Sequence, residues 1–375
     1  MTNLLLWKAF WNLTVQGLAL GSIYALIALG YTLVYGVLRL INFAHSEVFM
    51  VGTMGALFGS TKLLGIDTLL ADGEYPYKTG LVLVGVLAFT AAVAMVFAGG
   101  AAVAIERVAY RPMRGSGDMV SATVLAFLTG FVLAFFVSES TTVDVIIGLI
   151  LTGPIAYGYL RLMGRGRTAP RLAFLITAIG ASTAIAEGVA IWGPETREQY
   201  QTPRVLEKKV LFHFFDADVR VDYVLVTVLA IAMMVGLTIF VNRTRIGRGV
   251  RAVAQDVETA RLMGVNVDKV IMITFLLGGL MAGGAAVMFT VIYDQTRYNI
   301  GFLLGIKSFT AAVLGGIGNL KGALLGGLAL GLVENYSSAI FGSQWKDVVA
   351  FVVLLVVLMF RPTGLLGESL GRARA

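Results

Sequence analysis

The sequence predicts an all-α fold, a polytopic transmembrane helical bundle of about eleven spans, and three observations lead there. Of 375 residues 58% are hydrophobic and 14% charged, with a mean hydropathy of +0.84, too little polar surface to coat a water-soluble globule. Apolar runs about 20 residues long, the length that crosses a hydrocarbon core, recur along nearly the whole chain. These runs lack the ten-residue in-and-out alternation of an outer-membrane barrel.

Taken in order, the spans read near 13–36, 41–60, 80–104, 119–137, 143–161, 172–192, 222–241, 270–293, 303–318, 322–341 and 347–361, divided by charged or Pro/Gly-containing stretches. Met1 to Phe10 holds one lysine and no small-residue cleavage pattern, so the first run reads as an uncleaved span. The run at 303–318 is interrupted by glycines and is expected to span or to be re-entrant, a shape open only to backbone lined by protein or water.

Basic residues set the orientation. Alternating the loops gathers most of the 29 Lys and Arg on one side, among them Arg107, Arg111, Arg114, Arg161, Arg165, Arg167 and Arg171, which marks the cytoplasm. The N-terminus is then outside and the tail, with Arg361, Arg372 and Arg374, inside. Trp7, Trp11, Trp192 and Trp345 all fall beside the outer interface, where an indole satisfies both its apolar body and its N–H. The net charge of +7 reflects this asymmetry and is poor grounds for a nucleic-acid partner.

Chemistry is mostly excluded. The absence of cysteine removes disulfides, thiolate metal sites and cysteine nucleophiles. No HExxH or nucleophile elbow occurs, the two histidines stand apart, and the nearest approach to a phosphate-cradling loop, GFLLGIKS at 301–308, lacks the glycine-lysine pair. The expectation is a transporter, not an enzyme, with no cofactor and no metal, whose driving energy comes from outside the chain. An ATP-independent secondary transporter is the rival; it would carry coupling carboxylates at mid-membrane.

One echo bears on architecture. Tyr31-Thr32-Leu33-Val34-Tyr35 with Arg39 is matched by Phe289-Thr290-Val291-Ile292-Tyr293 with Arg297 at a constant offset, in helices of opposite direction. An inverted repeat of this kind builds two related gates around one path.

The ionisable residues inside the spans are His45, Glu47, Glu187 and Glu334, with Lys307 near an end, and burying such groups costs several kcal/mol unless they are paired or hydrated. Each is a candidate for the translocation path or for helix bracing. Asn42 and His45, three apart, are expected to share a helix face, either meeting a zwitterionic substrate or bracing a neighbouring helix, with bracing favoured. The long cytoplasmic loop 242–269 carries a predicted helix, Val250 to Met263, stopped by Gly264. Its polar face holds Arg251, Gln255, Asp256 and Arg261, with Val253, Val257, Ala260 and Leu262 free to press on another surface. Periodicity alone leaves a docking helix for a partner and a helix lying in lipid headgroups level.

Several separated stretches resemble the permease subunits of branched-chain amino-acid ABC importers. They are GLALGSIYAL at 17–26 running on through GYTLVYG at 30–36, INFAHSE at 41–47, RPMR at 111–114, Arg251-Ala252 to Gly264, Lys307 to Gly316, and RPTGL at 361–365. Two departures stand out: Ser46 where the family has glycine after the histidine, and 115–168, short in such permeases, which reads here as an inserted transmembrane hairpin around Glu139 to Asp144.

The resemblance implies a single permease domain over 1–375 with the ABC importer permease fold, multi-pass in the bacterial cytoplasmic (inner) membrane and surrounded by membrane lipid. It implies a second permease subunit, two cytoplasmic ATP-binding subunits and an extracytoplasmic substrate-binding protein. The segment Asp256 to Gly264, with Arg251, Gln255, Ala260 and Arg261, becomes the element that couples to the ATPase. The outer loop with Glu195, Arg197, Glu198 and Arg204 becomes the dock for the binding protein. Branched-chain amino acids are the implied cargo; urea, amides and other small amino or carboxylic acids are carried by similar permeases.

Overall fold

The computed structural model describes residues 3–69, 74–114, 171–192, 199–215, 217–361 and 363–367. Among them run α1 (Asn3–Leu38), α2 (His45–Phe58), α3 (Gly80–Ile105), the one-turn α4 (Arg111–Arg114), α5 (Arg171–Trp192), α6 (Val221–Arg243), α7 (Arg245–Gln255), α8 (Val257–Leu262), α9 (Val267–Tyr293), α10 (Ile300–Gly315), α11 (Leu320–Phe341) and α12 (Lys346–Phe360). Short strands β1 (Tyr200–Gln201), β2 (Val210–Phe214), β3 (Ala217–Arg220) and β4 (Gln295–Thr296) pair as β1 with β4 and β2 with β3, both antiparallel.

Seven of these helical stretches are long and apolar enough to cross a membrane: Ala9–Leu38, Gly80–Tyr110, Phe174–Ile191, Val221–Arg243, Val267–Tyr293, Leu320–Phe341 and Ser343–Phe360. Expected span 303–318 folds as the shorter helix α10, and expected span 41–60 as α2 with a π-helical continuation at Gly59–Leu63. The runs at 119–137 and 143–161, and with them the hairpin expected at 115–168, lie outside the described residues.

Burial orders the helices. The spanning window of α1 is 94% inside the protein and that of α9 72%, whereas α3 (17%), α6 (22%) and α12 (6%) face outward. All are apolar on every side, so lipid gives no hydrophobic drive to choose among them, and close contact between small residues decides. Helix α1 lies antiparallel to α11 along such a seam: a Cβ added to Gly21 would stand 2.8 Å from the Gly327 carbonyl, and one on Gly331 would stand 2.4 Å from the Gly21 Cα. Helices α3 and α9 meet the same way, Gly279 lying against Ala98, Gly99 and Ala102.

The main departure from the sequence reading is at the breaks. Helix α1 ends at Leu38, Arg39 turns left-handed at φ 55°, and residues 39–44 form a connector into α2. Asn42 therefore lies in a turn, its carbonyl accepting the His45 N–H at 3.1 Å, and does not share a helix face with His45 as expected. Helix α9 ends similarly at Tyr293, Asp294 has φ 55°, and 294–299 leads into α10. At 16 residues α10 reaches only about 24 Å, short of a hydrocarbon core of about 30 Å, whereas the 14 residues of α2 run straight on into a π-helical turn at Gly59–Leu63. The two helices run antiparallel. Thr53 and Thr296 share a 2.6 Å hydrogen bond, and Gly301, second in α10, lies against Ser46, second in α2. Both helices begin inside the bundle, and in that sense two partial helices meet by their N-terminal ends.

Candidate translocation and docking sites

Two of the sequence candidates are brought together. Lys307 of α10 donates to Glu334 Oε1 of α11 at 2.9 Å, and Tyr24 of α1 donates to Glu334 Oε2 at 2.8 Å. Lys307 also lies 2.7 Å from Asp347 at the start of α12. Glu334 is buried and Asp347 half exposed, so the ammonium bridges the interior to the rim of the bundle. One side chain from each of four helices enters this cluster. Both Glu334 oxygens have partners, the condition under which an intramembrane charge is tolerated.

The other candidates gather around the α2/α10 junction. Asn42 is buried and its Oδ1 accepts from the Tyr110 hydroxyl at 3.1 Å. His45 is buried edge-on to Tyr31, ring centroids 4.9 Å apart, with its Nε2 against Gly30, where an added Cβ would come within 2.1 Å. Glu47 is buried; its Oε1 accepts from Ser182 of α5 at 3.2 Å, and its Oε2 faces Gly301. Among the described residues neither His45 Nε2 nor Glu47 Oε2 has a hydrogen-bond partner. Ser46 donates to the Phe43 carbonyl at 2.7 Å, and its Cβ fits because Gly305 faces it: a Cβ there would stand 2.2 Å away. Glu187 is buried in α5, and Thr183 one turn before it donates to the Ile179 carbonyl at 2.7 Å.

In the loop 242–269 one expected helix becomes two. Helix α7 breaks at Asp256, whose carboxylate caps α8, accepting from the Glu258 N–H at 2.8 Å and the Thr259 hydroxyl at 2.8 Å. These bonds, led by the Thr259 hydroxyl and followed by the Thr259 and Glu258 amides, hold the Asp256 carboxyl below the usual carboxylate range. Gly264 ends the unit at φ 81°, the left-handed position that the sequence signal implied. Val253 and Ala260 are buried, while Arg251, Gln255 and Arg261 are exposed. Arg251 donates to the Val241 carbonyl and to Asn242 Oδ1. Leu262 and Met263 are 88% and 80% exposed: two large apolar side chains at the tip of the loop.

At the opposite end of α9, Arg204 pairs with Asp294 at 2.9 Å and lies over the Tyr75 ring, 4.4 Å from its centroid. Lys208 also pairs with Asp294. Glu195, Arg197 and Glu198 lie outside the described residues. Nearby, the β2 strand exposes Leu211, Phe212 and Phe214, and Trp11 stacks on Phe215 at 5.3 Å.

Sequence reasoning missed Tyr24, Tyr110, Ser182, Asp294 and Asp347. Tyr24 sits within the GLALGSIYAL stretch and Asp347 at the first turn of the last span, but neither position names a partner hundreds of residues away or on another helix.

Comparison with known proteins accounts for these features together. A family described as the branched-chain amino acid transport system, permease component, matches residues 13–358. The chain is 37% identical over 359 residues to the high-affinity branched-chain amino acid transport system permease protein BraD of Pseudomonas aeruginosa, covering 94% of each. It is 35% identical over 361 residues to the permease protein LivH of Escherichia coli K12, and 34% identical over 358 residues to LivH of Salmonella typhimurium, again covering 94% of each chain. A polytopic helical chain with a broken-helix centre, matched from its first span to its last, belongs to the branched-chain amino acid transport system permease family.

Proposed function

We propose that this chain is the membrane-spanning permease subunit of an ATP-binding-cassette importer for branched-chain amino acids. It works with a second permease, two cytoplasmic ATP-binding subunits and an extracytoplasmic binding protein, and hydrolyses nothing itself. The observation that carries this reading is the match along residues 13–358, with relatives at 34–37% identity named as high-affinity branched-chain amino acid permeases.

The chain crosses the bacterial cytoplasmic membrane about eleven times, N-terminus outside and C-terminus inside. Its two halves form an inverted repeat in which α1, connector and α2 correspond to α9, connector and α10. The equal lengths of 39–44 and 294–299 support this, as does the left-handed residue that opens each. Those residues stand three positions off the register of the sequence echo, which pairs Arg39 with Arg297, close to one helical turn. The α7–α8 loop docks the ATPase through Leu262 and Met263, transmitting its closure as rigid-body motion. Arg204, with Glu195, Arg197 and Glu198, receives the binding protein. Asn42, His45, Glu47, Glu187, Lys307 and Glu334 line or brace the path.

The test is uptake of radiolabelled leucine into vesicles carrying the whole complex, with Gly264→Pro and Asp256→Arg beside the unmodified chain. ATP-dependent leucine uptake, abolished by both substitutions while the complex still assembles, is the expected result. Uptake that ignores leucine removes the cargo assignment, and uptake without any ATPase removes the importer reading.

A further inference from the structure

Arg39 and Asp294 hold the same position in two similar pieces of chain at opposite ends of the bundle. Each is the first residue beyond a long helix, each has φ 55°, and each opens a connector to a partial helix. The left-handed conformation is disfavoured for side chains other than glycine, asparagine and aspartate, so Arg39 in particular is held there by contacts beyond its own backbone.

Both side chains grip the loop outside their end of the bundle. Arg39 Nη2 donates to the Ala254 carbonyl at 2.9 Å. That carbonyl is in the last turn of α7, where the end groups lack helical partners and the helix dipole is negative, so a guanidinium is the favoured donor. Asp294 accepts from Arg204 at 2.9 Å and from Lys208, which also donates to the Ile292 carbonyl at 2.8 Å. The Thr202 N–H donates to the Asp294 carbonyl at 3.0 Å, and β1 pairs with β4 one residue on. The far ends of both connectors lead to one place, where Gly301 meets Ser46 with no room for a Cβ: one added to Gly301 would stand 2.4 Å from the Ser46 carbonyl oxygen. Partial helices packed that closely cannot shift singly. Displacement of one is passed to the other.

We infer that Arg39 and Asp294 are paired positioning residues for transport. Arg39 ties the cytoplasmic α7–α8 loop to α2, and Asp294 ties the outer 199–209 segment to α10, so movement of either loop by its partner reaches the junction of the partial helices. The inference rests on the importer reading and adds to it the two residues that carry motion into the membrane.

The experiment uses the complete complex in vesicles, with leucine uptake and phosphate release measured on the same preparation, with and without leucine-loaded binding protein. Arg39→Asn and Asp294→Asn remove each grip while keeping a residue that tolerates the left-handed backbone. Arg39→Asn is expected to raise the phosphate released per leucine taken up by about fivefold or more, the scale of a coupling free energy between sites. Asp294→Asn is expected to cut the stimulation of phosphate release by loaded binding protein by about the same factor. Arg39→Lys, which keeps a cationic donor, should restore most of the coupling. Unchanged ratios in both asparagine variants, or uptake and hydrolysis falling in parallel with no rescue by lysine, overturns the inference and leaves the importer reading standing. If the unmodified complex takes up leucine without ATP, both fall.

Discussion

The Lys307 cluster and the α2/α10 junction bury comparable ionisable groups by opposite means. Around Glu334 each carboxylate oxygen has a donor, Lys307 on one side and Tyr24 on the other, and the charge is matched by a cation. Around Glu47 and His45 tight packing against glycines takes the place of pairing, and one polar atom of each is left without a hydrogen bond among the described residues. A paired cluster costs most when one partner is removed, because the other stays buried and charged. A crowded junction costs most when volume is added. On the proposed reading the first region is a fixed brace and the second a surface whose opening would give its unpaired atoms new partners.

The sharpest way to test that contrast is Lys307→Ala, expected to lower stability by about 3–5 kcal/mol, read from the thermal unfolding of the purified complex by tryptophan fluorescence. The pair Lys307→Met with Glu334→Leu should recover most of the loss; a double variant as unstable as the sum of the singles would show the two groups to be independent.

Next in size is Gly305→Ala, whose Cβ would stand 2.2 Å from that of Ser46. A loss of about 1–3 kcal/mol is expected, and Ser46→Gly should relieve it. If Ser46→Gly gives no relief, the crowding lies elsewhere. Tyr110→Phe leaves the buried Asn42 oxygen without its donor and should cost about 1 kcal/mol in the same assay, with leucine uptake retained.

The smallest effect belongs to the exposed cap of α8. Asp256 is held below the usual carboxylate range by its bonds to Thr259 and Glu258. Its contribution is therefore fully present above the carboxylate's unfolded pKa and lost as pH falls through the depressed folded value. Hydrogen exchange of the α8 amides, taken relative to the intrinsic rate at each pH, should be unchanged between pH 8 and pH 6, using the ordinary carboxylate pKa of about 4 as the reference, and quicken only in acid. Asp256→Ala should show the quickened exchange at every pH.

The α7–α8 loop was the most legible part of the molecule in sequence. Capping is local chemistry: Asp256 finds its partners two and three residues on, and Gly264 supplies a backbone angle that no neighbour has to approve. The reading still merged α7 and α8, because an aspartate serves a helix interior and a cap with the same letters, and only the extended backbone at Asp256 separates the two. The membrane interior was legible as class and not as arrangement. Asn42 was placed on a helix because the apolar run 41–60 continues past the true start at His45, and lipid-embedded sequence carries no polar face to mark such a boundary.

By itself the sequence determined a helical membrane chain, its motif stretches, its family and the identity of its few buried ionisable residues, since each follows from composition or short-range order. Only the tertiary structure decided that Lys307 and Glu334 pair with Tyr24 and Asp347, that His45 and Glu47 do not pair with them, and that two partial helices meet end to end. The reason is physical. In an apolar solvent every face of a helix is equally apolar, so partners are chosen by steric fit between small residues far apart in the chain.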